Sequence, residues 1–178
     1  MIINEDWYAD SQLVELAKVA ETVKMLPGLF IEIGCWEGKS TIRIANTIYP
    51  AILHAVDSWR GNINEDSNHP TVKILQARDV FSTFKLNIQT DTQGNVKIFQ
   101  IDCFEYLANV KEPIVFCHID ASHNYADVKR TIEMLLPHVV IGGILCGDDY
   151  NRGVMEAVKE LLPDHGSILN FWYWKKLV

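Results

Sequence analysis

Along this chain, short apolar runs ending in glycine or an acid alternate with longer stretches whose apolar residues recur every three or four positions. The first kind reads as buried strand and the second as helix packed along one face. Residues 11–25 set Leu13, Leu16, Ala17, Ala20 and Val23 on one helical face behind Asp10 and Ser11, a capping pair. Leu29-Phe30-Ile31-Glu32-Ile33-Gly34 then reads as a strand, Thr41–Ile48 as helix and Ile52–Asp57 as the second strand. A polar loop, 58–70, leads to a helix over 71–90 with Val80, Phe84 and Ile88 in register. Val96–Ile101 is the third strand, Phe104–Asn109 a short helix and Ile114–Asp120 the fourth strand. Val128, Ile132, Leu135 and Leu136 mark the next helix, and Val139–Cys146 the fifth strand. Val154, Val158, Leu161 and Leu162 mark a helix, and Ile168–Trp174 closes the chain as a strand.

Strands separated by helices cannot pair as hairpins. They are joined by right-handed crossovers into a parallel sheet covered on both faces. The expected fold is therefore α/β, a doubly wound, Rossmann-like, mostly parallel sheet of six or seven strands with helices on both faces. No repeat, low-complexity tract or linker divides it, so residues 1–178 read as a single domain. Residues 1–26 carry an N-terminal helix, 28–162 the core and 167–178 a C-terminal strand.

Composition narrows the function. Of 178 residues 48% are hydrophobic, too many for disorder, and 16 Lys+Arg against 23 Asp+Glu give a net charge of −7. No basic cluster is present to grip nucleic acid. The four cysteines, at 35, 103, 117 and 146, have no paired spacing and read as free thiols in a reducing compartment. The start, MIINEDWYADSQL, lacks the pattern of a signal peptide, and the longest apolar run, Val139–Cys146, is too short to cross a membrane. A cytoplasmic protein is expected, with no membrane or nucleic-acid partner and room for self-association through Phe171-Trp172-Tyr173-Trp174.

In such folds ligands bind beyond the carboxyl ends of the strands. Seven acids fall there: Glu32, Glu37, Asp57, Asp102, Asp120, Asp148 and Asp149. Helix capping accounts for any one of them but poorly for all seven. The first turn, Ile31–Thr41, reads I-E-I-G-C-W-E-G-K-S-T. A dinucleotide site wants G-x-G-x-x-G around a pyrophosphate, whereas Trp36 and Glu37 here oppose a polyanion. Gly34 and Gly38 keep the tight turn, and Asp57 ends the second strand where an acid binds ribose hydroxyls. A nucleoside with a cationic amino-acid tail fits, and S-adenosylmethionine has those parts.

Four blocks, F-I-E-I-G-C-W-E-G-K-S-T, A-V-D-S-W-R-G, H-I-D-A-S-H-N-Y and G-G-I-L-C-G-D-D-Y, carry a resemblance. In order and spacing the chain resembles the class I S-adenosylmethionine-dependent methyltransferases over about residues 28–162. Within them it is most similar to the small-molecule branch that includes macrocin-type O-methyltransferases. The resemblance implies that Glu32 and Gly34 face the methionine part, Asp57 the ribose, Asp102 and Cys103 the adenine, and Asp120 the reacting centre. With their neighbours, the expected cofactor set is Glu32, Gly34, Cys35, Trp36, Gly38, Ser40, Asp57, Ser58, Trp59, Asp102, Cys103 and Asp120. Cys103 stands where a Ser is common, and Ala121-Ser122 where Gly-Asp is usual.

Asp120, Asp148 and Asp149 end adjacent strands, and three hard oxygen donors suit Mg²⁺. The macrocin-like branch implies the same ion, which could chelate a substrate diol and acidify one hydroxyl. The alternative leaves Asp148 to the cofactor's ammonium or a backbone turn and Asp149 to a cap on the helix that follows. His123, three residues beyond Asp120, suits a general base, and either of the two could take the acceptor's proton. His54 and His118 lie inside apolar strands and read as core residues. Tyr125, Trp36 and Trp59 could flank an adenine or a sulfonium, or simply pack. Loop 58–70, with Arg60, Glu65 and Asp66, has the length of a lid.

The expected activity is methyl transfer from S-adenosylmethionine to a small-molecule acceptor, most naturally at a hydroxyl oxygen. A non-catalytic cofactor binder or partner subunit is the alternative. An NAD-linked oxidoreductase is disfavoured by the glycine spacing, by Glu37 and by the lack of a hydride-transfer pair such as Tyr-x-x-x-Lys.

Overall fold

A computed structural model describes residues 1–61 and 68–178. The elements run α1 (Asp10–Glu21), β1 (Leu29–Ile33), α2 (Lys39–Ile48), β2 (Leu53–Asp57), α3 (Pro70–Ala77), α4 (Val80–Asp91) and β3 (Val96–Gln100). There follow α5 (Cys103–Ala108), β4 (Ile114–Ile119), α6 (Tyr125–Leu135), β5 (Val139–Gly147), α7 (Arg152–Leu161), β6 (Gly166–Ile168) and β7 (Phe171–Lys175). One seven-stranded sheet has the order β3-β2-β1-β4-β5-β7-β6. Strands β1 to β5 are parallel, and β7 is antiparallel to both neighbours.

Alternation along the strands sends successive side chains to opposite faces. Ile31, Ile33, Cys117, Ile119 and Leu145 face α5, α6 and α7, where Leu107, Val128, Ile132, Leu135, Ala157 and Val158 meet them. Phe30, Phe116, Ile144, Cys146 and Phe171 face α1 and α2, closed by Leu16, Ala20, Ile44, Ala45 and Ile48. Burying one such large side chain contributes roughly 1.5–3 kcal/mol, so the two layers hold the sheet from both sides.

Three expectations are corrected. The helix expected over 71–90 is two helices, because the chain leaves helical geometry at Arg78 and Asp79. The Asp79 carboxylate then accepts from the Ser82 amide at 2.9 Å, a cap that starts α4. The closing strand is a hairpin, β6 and β7, turning at Leu169 with φ 56°. At α1, Ala9 rather than Asp10 or Ser11 is the capping position, and the Gln12 side chain accepts from its amide at 3.0 Å.

The register fixes where the site lies. Ile33 pairs with Val56 on one side and Ile119 on the other, and Ile119 pairs with Gly147. Gly34, Asp57, Asp120 and Asp148, the next residues along, therefore share one edge of the sheet. The chain works outward from β1 to β3 and then returns to β4 on the other flank of β1. That reversal leaves a crevice at the β1 and β4 ends.

Candidate active site

A cavity of about 1770 Å³ occupies the crevice. Ligand pockets typically span roughly 300–1,000 Å³, so a nucleoside and a second small molecule fit together. Gly34, Cys35, Trp36, Ser40, Asp57, Ser58, Trp59, Asp102, Cys103, Asp120, His123, Asp148 and Asp149 all line it. Glu32 and Gly38 do not.

The turn after β1 is built around Asp57. Its Oδ2 accepts from the amides of Cys35 at 2.8 Å and Trp36 at 3.1 Å, and its Oδ1 from the Trp59 amide at 2.7 Å. The carboxylate thus ties the ends of β1 and β2 together while standing on the cavity wall. Burial raises its pKa above the ordinary carboxylate value, although the three amides pull it back. Trp36 and Trp59 flank it with φ of 48° and 51°, and Asp149 and Leu169, also on the wall, have φ of 51° and 56°. Non-glycine residues in this region each cost of order 1–3 kcal/mol, a strain that concentrates at functional sites.

Four of the seven rim acids are occupied locally. Glu32 is fully buried behind the cavity wall, and its Oε1 meets His118 Nδ1 at 3.1 Å. The reason is register: Glu32 and His118 are direct partners across β1 and β4, so both side chains share the sheet face that packs on α1. His118 Nε2 continues to the Tyr8 hydroxyl at 3.2 Å. Glu37, 1% exposed, holds the Asn4 amide and side chain and the Arg78 guanidinium. Asp57 serves the turn, and Asp102 Oδ1 caps α5 through the Phe104 and Glu105 amides at 2.9 and 3.2 Å. Gly38 stands at the start of α2 with φ 90° and packs on Phe84, where a Cβ would lie 3.0 Å from the ring.

The remaining three, Asp120, Asp148 and Asp149, share one end of the cavity with His123. The imidazole Nε2 is 3.6 Å from Asp120 Oδ1 and 3.2 Å from Asp149 Oδ2. The pairing with Asp120, opposed by burial and reinforced by the charges of Asp149 and Asp148, raises the His123 pKa above its ordinary value. Asp148 is pushed up to about 6, first by burial and then by the charge of Asp120.

A metal was expected on these three acids. Among the described residues no group of three or more His, Cys, Asp or Glu side chains is arranged to hold one. Asp148 Oδ1 accepts from the Gln12 amide, while Asp149 turns to His123 and to Asn170 Nδ2 at 3.1 Å. The donor chemistry suits Mg²⁺, but Asp148 and Asp149 each already serve protein partners.

The aromatic candidates separate. Trp59 stacks on Phe81 and Phe84 at 4.6 and 4.7 Å, and its indole donates to the Trp36 carbonyl at 2.9 Å. Trp36 lies against Trp7 at 5.1 Å. Tyr125 is absent from the cavity wall and bonds Glu160 on the outer face of α6. His54, expected as a core residue, is half-buried and bonded to Tyr106 at 2.6 Å. Arg60 lines the cavity, whereas Glu65 and Asp66 of the expected lid lie outside the described residues. Among the described residues no helix is long and apolar enough to cross a membrane.

Sequence reasoning missed Tyr8, Gln12 and Asn170. For Gln12 a signal was present: a polar residue in helical register with buried Leu16 and Ala20. Tyr8 and Asn170 had none, since each is placed by contacts distant in sequence.

The family described as "Methyltransferase domain" matches residues 31–150, from β1 to just past β5. No curated protein matches significantly. Among solved structures, the O-methyltransferase NovP superposes with a TM-score of 0.72 at 19% identity, over 93% of this chain and 79% of that one. CalS11, a calicheamicin methyltransferase, gives 0.67 at 15% identity, over 93% and 78%. An O-methyltransferase from Bacillus cereus, solved in complex with SAH, gives 0.61 at 15%, over 98% and 84%. These likenesses establish the class I methyltransferase fold, and with a family match over most of its length the chain belongs to the methyltransferase-domain family.

Proposed function

We propose that the protein transfers a methyl group from S-adenosylmethionine to a hydroxyl of a small-molecule acceptor. The observation that carries this reading is one continuous cavity with Asp57 on one wall and the Asp120–His123 pair on another, across the reversal of strand order. Bound S-adenosylmethionine supplies a methyl group on a cationic sulfonium. The Asp57 carboxylate, with two of its acceptor sites on Oδ2 and one on Oδ1 given to amides, retains one on Oδ1 for a ribose hydroxyl. Asp120 and Asp148 place negative charge beside the sulfonium and the ammonium of the tail. NovP and the Bacillus cereus protein, both named as O-methyltransferases, support oxygen as the acceptor atom.

His123 is the residue to take the acceptor's proton. As the acceptor oxygen bonds the methyl carbon and the carbon–sulfur bond breaks, the hydroxyl proton passes to Nδ1, because Nε2 is turned to Asp120 and Asp149. Asp120 and Asp149 hold the resulting imidazolium, and His123, half-exposed, returns the proton to water. General-base assistance of this kind contributes roughly 10²–10⁴-fold, and positioning of the two reactants roughly 7–11 kcal/mol of barrier.

Two experiments test the reading. In thermal melts, S-adenosylhomocysteine raises the melting temperature and NADH does not; the reverse pattern rejects it. In a screen of hydroxylated acceptors with radiolabelled S-adenosylmethionine, His123→Ala lowers turnover by about 100-fold or more while S-adenosylhomocysteine affinity holds. A protein that binds the cofactor and transfers its methyl group to no acceptor is a binding subunit instead.

A further inference from the structure

The segment before β1 lies outside the family match, yet it is fastened to the site residue by residue. The Met1 amino group pairs with Asp91 at 2.8 Å, Ile2 exchanges backbone bonds with Asn87 at 2.6 and 2.7 Å, and Asn4 grips Glu37. These contacts carry Tyr8 and Gln12 into the wall of the cavity. Each is buried, at 7% exposure, and each is held by a hydrogen bond to a residue at a strand end or within the sheet.

Gln12 is held at both ends of its amide. Its Oε1 takes the Ala9 amide, which fixes the first turn of α1, and its Nε2 donates to Asp148 Oδ1. One Asp148 oxygen is thereby spoken for and the other left for the cavity, so the amide sets the carboxylate's rotation. Tyr8 is half engaged. Its hydroxyl meets His118 Nε2, and His118 is anchored through Nδ1 on Glu32, so the phenol oxygen is located by a chain reaching into the sheet. A hydroxyl can serve three hydrogen bonds and this one has a single partner among the described residues, leaving capacity on a residue that lines the cavity.

We propose that Tyr8 and Gln12 complete the methyl-acceptor end of the site, Tyr8 as a ligand-contacting residue and Gln12 as a positioning residue for Asp148. The inference rests on the methyltransferase reading and sharpens its substrate class. Tyr8, Asp148 and Asp120 present oriented oxygens at the place where the acceptor's nucleophile arrives. An acceptor bearing hydrogen-bond donors beside that atom, a vicinal hydroxyl or an amine, is matched there, and one lacking them leaves buried oxygens unpaired.

Sinefungin tests this without knowledge of the acceptor, because it replaces the S–CH₃ of the cofactor by CH–NH₃⁺ and so puts donors at the acceptor end. S-adenosylhomocysteine has none there. Calorimetric dissociation constants for both ligands are compared in the wild type, Tyr8→Phe and Gln12→Met, each checked for native melting. The wild type binds sinefungin the tighter by about ten-fold or more, and each substitution cuts that preference by about five- to ten-fold, with S-adenosylhomocysteine affinity changed by less than about two-fold. A preference unchanged in both variants, or an equal loss for both ligands, overturns the proposal and leaves the methyltransferase reading standing. A wild type that binds neither ligand overturns both.

Discussion

A Cβ placed on Gly34 would stand 2.0 Å from the carbonyl oxygen of Asp120, so the turn after β1 and the end of β4 touch backbone to backbone. The contact brings the cofactor turn and the expected reacting centre together with no side chain between them. Gly34 also has φ 86°, a conformation other residues adopt at a cost. Gly34→Ala must therefore push β1 and β4 apart at the cavity. The expected loss is about 3 kcal/mol or more, a fall in melting temperature of about 6–12 °C, together with loss of S-adenosylhomocysteine binding in calorimetry. A variant that melts and binds like the wild type removes this contact from the account.

How far such a site is legible in sequence depends on the range of the contact that makes each part. Strands β1, β2, β4 and β5 announce themselves because their apolar runs are buried on both faces and end in Gly or Asp. The break at Arg78 was hidden because Val80, Phe84 and Ile88 keep helical spacing, and its one mark is the Asp79 cap. Acids at the strand ends mark the rim in sequence, but the burial of Glu32 against His118 is set by the pairing of β1 with β4 and leaves no local mark. Tyr8 was invisible for the same reason, its bond to His118 spanning 110 positions.

Arg78 sits at that break and reaches two acids. Its guanidinium pairs with Glu37, 1% exposed, at 2.6 Å and with Glu5 of the N-terminal segment. Arg78→Ala leaves the Glu37 carboxylate buried with only neutral donors from Asn4. Removing one partner of a buried pair costs about 3–5 kcal/mol, and the expected fall in melting temperature is about 6–15 °C. The exposed Lys18–Glu15 pair is the control, where Lys18→Ala changes stability by less than about 1 kcal/mol. Equal effects of the two substitutions would discard the argument from burial.

Asp57 combines a structural and a binding task, and one substitution separates them. Asp57→Asn keeps shape but presents an N–H₂ to a set of amide donors, so one of the three bonds from Cys35, Trp36 and Trp59 is lost. It also removes a charged acceptor from the ribose. The expected result is a loss of S-adenosylhomocysteine affinity of about 10- to 100-fold, exceeding the change in stability. Wild-type affinity in calorimetry would place the ribose elsewhere.

Asp148 makes stability depend on pH with an unusual sign. Its carboxyl is pushed up to about 6 from an ordinary 3.8, by burial first and by Asp120 second. Between about pH 4 and 6 the native state holds a proton that the unfolded chain has released. Stability therefore falls as pH rises through that window, and above it the cost of the buried charge is constant. Asp148→Asn cannot ionise and keeps an Oδ1 for the Gln12 amide. A shift of this size corresponds to about 2–3 kcal/mol, so the variant melts about 4–12 °C above the wild type near pH 8. The gap closes as pH falls from about 6 to 4, where the wild-type carboxyl becomes protonated in both states. Melts in EDTA across that range measure it, so that no stray cation screens the pair. A difference independent of pH, or a variant less stable near pH 8, would show that Asp148 carries no uncompensated charge and that the acidic end of the cavity is already balanced by the protein's own groups.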